Sequence, residues 1–316
     1  MKISVALCTY NGGKYIEEQI NSILNQSVKV DEIIVCDDQS KDDTLLKLKK
    51  LQTKNTSISI IENDINLRST KNFEKAISLC TGDYIFLSDQ DDLWNNLKVE
   101  KTIAVFNENP TAEGVFSNAS LIDENNNIFT DKTIWDSVFF FENELIKPID
   151  FFDIIAKNGN VVTGATLCIK KSVKEFIFPF TEDVLHDEKI ATLLALRETL
   201  FYSTENLISY RLHDKQQVGM KNIDKIEKKN KLRRIVLGLE KANTFNEYRL
   251  LSKKIYLKLD KSKKIVNSKF IKTDIQNLIL KSKFEWEDII TKMKFKFPIR
   301  FRLVQFCDKI LDKRKT

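Results

Sequence analysis

The sequence predicts an α/β fold, a mostly parallel sheet flanked by helices, with a basic helical region appended at its C-terminal end. Three observations carry this. Apolar, β-branched runs alternate with helix-period segments over roughly the first hundred residues. Polar and acidic residues fall immediately after those runs. From Lys221 onward the composition turns Lys-rich and almost free of Gly and Pro.

Ile3 to Cys8, Glu32 to Cys36, Ser57 to Ile61 and Tyr84 to Leu87 read as strands, each a short apolar run bounded by polar residues. Between them, Tyr15 to Leu24 places Ile16, Ile20, Ile23 and Leu24 on one helical face. Thr44 to Leu51 is the second helix, and Lys71 to Leu79, with Phe73, Ala76 and Ile77 on one face, is the third. Strand, helix and strand in repetition imply parallel strands joined by helical crossovers. Beyond Trp94 the pattern loosens. Strand-like segments lie near Gly114 to Asn118, Val161 to Ile169 and Leu207 to Arg211, and a helix is expected over Glu188 to Arg197. The expected organisation is a catalytic domain over 1–220 and a helical region over 221–316, with no internal repeat.

At 316 residues and 42% hydrophobic, the chain has enough apolar side chains for a sizeable core. Its five cysteines, Cys8, Cys36, Cys80, Cys168 and Cys307, have no paired spacing and read as reduced, buried thiols. The chain starts directly on a strand pattern without signal-peptide features, and no stretch reaches the roughly 18 apolar residues of a membrane span. A cytoplasmic protein is expected. The net charge of +6 conceals an asymmetry: from Lys221 there are 28 basic against 11 acidic residues, leaving 23 against 34 before it. An acidic body of this kind needs a cation to hold a phosphorylated substrate, whereas the basic tail suits an anionic partner.

In an open parallel sheet the ligand crevice lies at the carboxyl ends of the strands. There the sequence puts Thr9-Tyr10-Asn11-Gly12-Gly13, Asp37-Asp38-Gln39-Ser40 and Ser88-Asp89-Gln90-Asp91-Asp92. The first loop has neither the spaced glycines of a dinucleotide fold nor the Gly-Lys-Ser/Thr of a phosphate loop. Carboxylates can receive a phosphate only through a divalent cation, so the Asp89-Gln90-Asp91 element suggests Mn2+ or Mg2+.

These motifs, with the Asn66 to Asn72 stretch and Gly82-Asp83-Tyr84-Ile85 leading into Asp89-Gln90-Asp91-Asp92-Leu93-Trp94, resemble family 2 glycosyltransferases of the GT-A fold. The Asp-Gln-Asp-Asp-Leu-Trp form is similar to a rhamnosyltransferase-like subgroup. Gly164, His186-Asp187 and Tyr210-Arg211-Leu212-His213 look like its later elements, so the resemblance covers roughly residues 2 to 219. It implies an inverting hexosyl- or rhamnosyltransferase taking a UDP- or dTDP-sugar. The acceptor hydroxyl would belong to a glycan or lipid-linked acceptor in bacterial-type surface polysaccharide assembly. By the same resemblance Thr9, Tyr10 and Asn11 shape the base pocket, Asp38 accepts a hydrogen bond from the base, and Lys71 lies near the nucleotide. Asp89 faces ribose or sugar, Asp91 binds the metal, Asp187 is the general base, and His213 is a further ligand or diphosphate contact. Arg68 stands where the family often has glycine.

Plainer readings stand beside these. Asp91 and Asp92 equally suit a helix cap, Asp37 and Asp38 an Asx-type turn, and Asp187 the cap of the helix it opens. His213 also reads as a structural histidine, Lys71 as a solvated helix residue and Trp94 as a core anchor. A sugar-nucleotide nucleotidyltransferase would need a glycine-rich basic loop after the first strand, and the chain offers only Asn11-Gly12-Gly13-Lys14. A non-catalytic scaffold of the same fold is the other alternative. In the tail, Lys292 to Leu303 interleaves cations with bulky apolar residues, as segments docking on an anionic inner membrane face do; packing on the catalytic domain or a second subunit is the competing reading. No recognition motif supports nucleic acid.

Overall fold

A computed structural model of the chain describes residues 1–145, 149–214, 226–265 and 274–313. The strands are β1 (Ile3–Thr9), β2 (Glu32–Asp37), β3 (Ile58–Glu62), β4 (Tyr84–Ser88), β5 (Leu93–Trp94), β6 (Gly114–Ile122), β7 (Ile128–Thr133), β8 (Leu167–Lys170) and β9 (Leu200–Arg211). The helices are α1 (Ile16–Leu24), α2 (Thr44–Gln52), α3 (Arg68–Leu79), α4 (Lys98–Glu108), α5 (Ile134–Val138), α6 (Phe151–Asn158), α7 (Lys174–Ile177), α8 (His186–Leu196), α9 (Ile226–Val236), α10 (Phe245–Ile265), α11 (Asp274–Lys296) and α12 (Pro298–Lys313).

The sheet runs in the order β3-β2-β1-β4-β8-β6-β9-β5, with β7 beside β6. β3, β2, β1 and β4 are parallel neighbours, the half formed by the alternating apolar runs. Every residue of β1 is buried, as expected of a strand covered by helices on both faces. Register fixes what stands at the crevice: Thr9 pairs with Asp37 and Leu7 with Ser88, so the three polar loops leave the sheet together. Beyond β4 the sheet becomes mixed. β8 is antiparallel to β4 and β6, while β9 lies parallel to β6 and antiparallel to β5.

The helices bury the faces their period marks out: Ile16, Gln19, Ile20 and Ile23 on α1, and Phe73, Ala76 and Ile77 on α3. An aromatic cluster of Phe116, Trp135, Phe140, Phe151 and Tyr202 fills the space beside β6. Cys8, Cys36, Cys80 and Cys168 are free and buried. The run from Val161 to Ile169 is a strand only from Leu167, because Gly164–Thr166 forms a 3-10 turn. A β-carbon on Gly164 would lie 2.8 Å from the His186 ring, so the close approach of α8 shortens the strand.

Two compact units divide the chain: Met1–Phe141, Asp150–Phe152 and Asn160–Ile223 form one, and Glu142–Ile149, Asp153–Gly159 and Asp224–Thr316 the other. The second has its own core, in which Ile235, Phe245, Tyr248, Ile255, Ile289, Met293 and Phe301 are buried. Within it the buried Lys157 and Lys258 both pair with Asp153 and approach Glu285. Two cations facing two carboxylates leave no net buried charge.

Candidate active site

The ends of β1 and β2 are stitched together before any ligand is considered. Thr9 Oγ1 donates to Asp37 Oδ2 at 2.7 Å, and Ser40 Oγ donates to the same carboxylate at 2.6 Å. The Asn11 N–H donates to Ser40 Oγ, and the Lys41 N–H returns to Asn11 Oδ1 at 2.7 Å. Asp37 therefore makes the Asx-type turn weighed above, while Asp38 does something else. Its carboxylate is buried and accepts from Asn63 Nδ2 at 2.8 Å, the Leu67 N–H at 2.7 Å and the Arg68 N–H at 2.8 Å. It fixes the Asn66–Arg68 loop to the end of β2.

Tyr10, Gln39, Lys41, Asn66 and Arg68 line a cleft of about 470 Å³ between these loops. Gln39 and Arg68 adopt left-handed backbone, with φ of 65° and 60°, and neighbouring Asn11 has φ 52°. Such strain in non-glycine residues costs of the order of 1–3 kcal/mol each and collects at binding sites. Gln39 belongs to the polar turn after β2, whereas Lys41, just beyond that turn, is a lining residue that no sequence motif marks. Lys71 faces α3's own Glu74 at 2.9 Å and does not line the cleft.

Gln90 ties the acidic turn after β4 to the first loop, exchanging hydrogen bonds with the Tyr10 main chain at 2.8 and 3.2 Å. No helix follows for Asp91 and Asp92 to cap. β5 comes next and pairs with β9, Leu93 opposite Ser209 and Trp94 opposite Ile208. That pairing delivers His213, just past the end of β9, to Asp91, with Nε2 2.9 Å from Oδ2. Arg211 clamps the turn from below: its backbone N–H donates to Asp92 Oδ1 at 3.0 Å and its Nε donates to the Asp91 carbonyl at 2.6 Å. The guanidinium also reaches Asn126 Oδ1, the Asp123 carbonyl and Glu18, above the Tyr15 ring.

Asp187 stands in the first turn of α8. Its Oδ1 accepts the Glu188 N–H at 2.6 Å and its Oδ2 accepts the Gly164 N–H at 3.1 Å. The second bond ties it to the Gly164–Thr166 turn, which a cap of α8 alone would not require. The same turn receives Lys98, whose buried Nζ donates to the Ala165 carbonyl at 2.7 Å and lies 3.8 Å from the Trp94 ring centre. Trp94 is thus a buried anchor beneath the acidic turn. His186 stacks on Phe73 with ring centres 3.9 Å apart, and burial pushes it down to about 3, so it stays neutral.

Electrostatics single out the acids. Burial, then the nearby Asp91 and Asp187, push Asp89 up to about 7, with Lys98 opposing. Burial, followed by Asp91 and Asp89, pushes Asp92 well up. Asp187 rises to about 6, mainly by burial and against the Glu188 and Gly164 N–H donors. Burial lowers Lys98 to about 7. Crowded carboxylates of raised pKa, brought together from two separated stretches of sequence, mark a functional site.

The sequence model of glycosyl transferase family 2 matches residues 4–175, more than half of the chain. The chain belongs to glycosyltransferase family 2. Among its relatives, an uncharacterized glycosyltransferase of Haemophilus influenzae is 27% identical over 277 residues, covering 84% of this chain and 83% of the relative. The dTDP-rhamnosyl transferase RfbG of Shigella flexneri is 29% identical over 238 residues, covering 67% and 73%. Solved structures of similar fold include S. aureus TarS 1-349 in complex with UDP-GlcNAc, at a TM-score of 0.54, 17% identity and coverage of 92% of this chain and 81% of that one. The mannosyltransferase PcManGT from Pyrobaculum calidifontis, in complex with GDP-Man and Mn2+, has a TM-score of 0.51 at 13% identity and covers 96% and 86%. The fold of this glycosyltransferase is therefore of the GT-A type, and the mixed half of the sheet belongs to it. No helix among its described residues is long and apolar enough to cross a membrane.

Proposed function

We propose that this glycosyltransferase moves a hexosyl or rhamnosyl group from a UDP- or dTDP-sugar to a hydroxyl of a glycan or lipid-linked acceptor, with inversion and with Asp187 as general base. The observation that carries this reading is the placement of Asp187. Its carboxylate is pushed up to about 6, is held by two backbone N–H groups, and shares an electrostatic field with Asp89. A base must hold a proton-free carboxylate at neutral pH yet accept a proton in the transition state, and a pKa near 6 suits both needs.

In this reading the nucleotide base enters the cleft between Tyr10, Gln39, Lys41, Asn66 and Arg68, with Thr9 and Asn11 setting its floor through Asp37 and Ser40. Asp38 acts on the base by fixing the Asn66–Arg68 wall, with lone-pair capacity left for a direct bond. Lys71 would have to leave Glu74 to reach the donor. Asp89 faces ribose or sugar. As the acceptor oxygen attacks the anomeric carbon, its proton passes to Asp187 while the bond to the diphosphate breaks and its electron pair stays on the phosphate oxygen. Attack opposite the leaving group inverts the centre.

Asp91 and His213 fit a divalent cation: a carboxylate oxygen and an imidazole nitrogen 2.9 Å apart, beside other carboxylates. The described residues hold no cluster of three ligating side chains, so diphosphate oxygens and water would complete the shell, as Mg2+ and Mn2+ commonly accept. Such an ion would neutralise the diphosphate as it leaves. PcManGT, whose structure holds Mn2+ and GDP-Man, and RfbG, named for a dTDP-rhamnosyl donor, support the choice of metal and donor class. The test is a panel of UDP- and dTDP-sugars with purified full-length protein, reading nucleoside-diphosphate release with Mn2+, with Mg2+ and with EDTA, and product configuration by NMR. Failure of every donor with either metal, or a retained anomeric configuration, overturns the proposal.

A further inference from the structure

The helical unit carries a feature that transfer chemistry does not use. Between Lys292 and Gln305 every ionisable side chain is cationic: Lys292, Lys294, Lys296, Arg300 and Arg302, with no acid. This stretch is the corner where α11 ends and α12 begins. Its apolar residues divide into two sets. Met293 and Phe301 are buried and Phe297 packs against them in the unit's own core. Phe295 is 88% exposed, Ile299 75% and Leu303 58%.

At 3.6 residues per turn, Ile299 and Leu303 share one face of α12, opposite the core-facing Phe301. Arg300 and Arg302 fall on the two flanks of that face, both exposed, and among the described residues neither pairs with a carboxylate. Lys294 and Lys296 cover the rings of Phe301 and Tyr248 at 5.6 and 5.3 Å, and Lys292 pairs with Asp288 at 2.5 Å. The helix therefore has one apolar face for its own core and a second apolar ridge bordered by cations. A core needs only the first. Leu280 and Phe284 are also exposed on α11, but Glu287 and Asp288 separate them from the corner, whose exposed apolar residues are Phe295 near the end of α11 and the Ile299–Leu303 ridge of α12.

We propose that this corner docks on an anionic lipid bilayer, with Phe295, Ile299 and Leu303 entering the headgroup boundary and Arg300 and Arg302 lying against lipid phosphates. Apolar side chains bordered by cations complement a surface that is oily inside and negative at its rim. An acidic protein or a nucleic acid would use the cations and leave the ridge in water. The inference does not rest on the transferase reading, because membrane binding is measured without donor or acceptor.

The test is co-sedimentation of the full-length protein with phosphatidylglycerol/phosphatidylcholine vesicles and with phosphatidylcholine alone, at low and at high salt. Binding to the anionic vesicles that weakens with salt is expected, with little binding to the neutral ones. Each arginine contributes about fivefold, so the Arg300→Gln/Arg302→Gln protein should bind about 30-fold more weakly. The Phe295→Ser/Ile299→Ser/Leu303→Ser protein should lose at least about a hundredfold while keeping its circular dichroism melt, because all three side chains are outside the core. No binding by wild type at low salt, or triple-variant binding equal to wild type, overturns the proposal. So does a wild-type dimer that the triple substitution dissociates, which would make a second copy the occupant. Binding to a random DNA duplex that survives the apolar substitutions, with none to vesicles, overturns it too.

Discussion

Asp187→Asn separates basicity from shape. The carboxylate accepts two N–H groups, from Gly164 and Glu188. Asparagine's single carbonyl oxygen can keep only one, and leaving the other buried donor unpaired costs about 1–3 kcal/mol. Against this, the carboxyl titrates near 6 in place of its ordinary 3.8, so holding it ionised at neutral pH costs about 3 kcal/mol. A neutral amide removes that cost. The two effects oppose each other at similar size, and the melting temperature at pH 7 should move by no more than about 4 °C. The sign also sets a pH dependence. Because the folded-state pKa is raised, the acid's contribution to stability is fully present below its unfolded value and is lost as pH rises through about 6. The Asn variant should therefore gain on wild type between pH 4 and pH 7 in urea denaturation. Transfer should respond quite differently. A positioned base contributes about 10²- to 10⁴-fold, so single-turnover transfer should fall at least about a hundredfold with donor affinity by calorimetry unchanged. Wild-type turnover should decline as pH drops through about 6, and the residual activity of the variant should not. Transfer within tenfold of wild type, or a flat wild-type profile across that range, refutes Asp187 as the base.

EDTA should abolish turnover and Mn2+ should restore it, and Asp91→Ala should weaken nucleoside-diphosphate binding without unfolding the chain; full activity in excess chelator contradicts the metal assignment. Asp38→Ala takes the acceptor from the Leu67 N–H, while Asn63 keeps Asn72 Oδ1 and Arg68 keeps Asn66 Oδ1, a loss of about 1–3 kcal/mol in urea denaturation. It should raise the donor KM more than it lowers kcat, and an unchanged donor KM would show that the Asn66–Arg68 wall does not bind the base. Arg211→Lys cannot reproduce the guanidinium's bonds to Asp91, Asp123 and Asn126 and should reduce Mn2+ affinity severalfold, although a guanidinium does not itself coordinate the ion; metal titration by calorimetry checks it.

The parallel half of the sheet was legible because local pattern and burial coincide there. A strand covered on both faces must be a continuous apolar run, and α1 and α3 must carry one apolar stripe, so each announces itself within a few residues. The polar loops after β1, β2 and β4 followed from the rule that crevices open at strand carboxyl ends, and their contents pointed to a cation and a phosphorylated ligand. The tail's basic, helical composition was equally local.

What the sequence could not supply is any relation between residues far apart in it. Asp91 meets His213 only because β5 pairs with β9, an antiparallel contact between a two-residue strand and one more than a hundred positions away. The same distance hid the role of Arg211, which belongs to the Tyr210–His213 element but whose buried guanidinium holds the Asp91–Asp92 turn. Asp38 also fastens a loop, which its motif does not announce, since three donors converge on it from the residue after β3 and from the start of α3. Arg68 holds left-handed backbone, which nothing in its own side chain announces. In the tail, composition alone could not distinguish Met293 and Phe301 from Phe295, Ile299 and Leu303. Sequence determines which segments can bury a face, because that depends on neighbours three or four residues apart. Only the tertiary structure decides which charges share a field and which apolar residues are left in water, because those depend on where the chain returns.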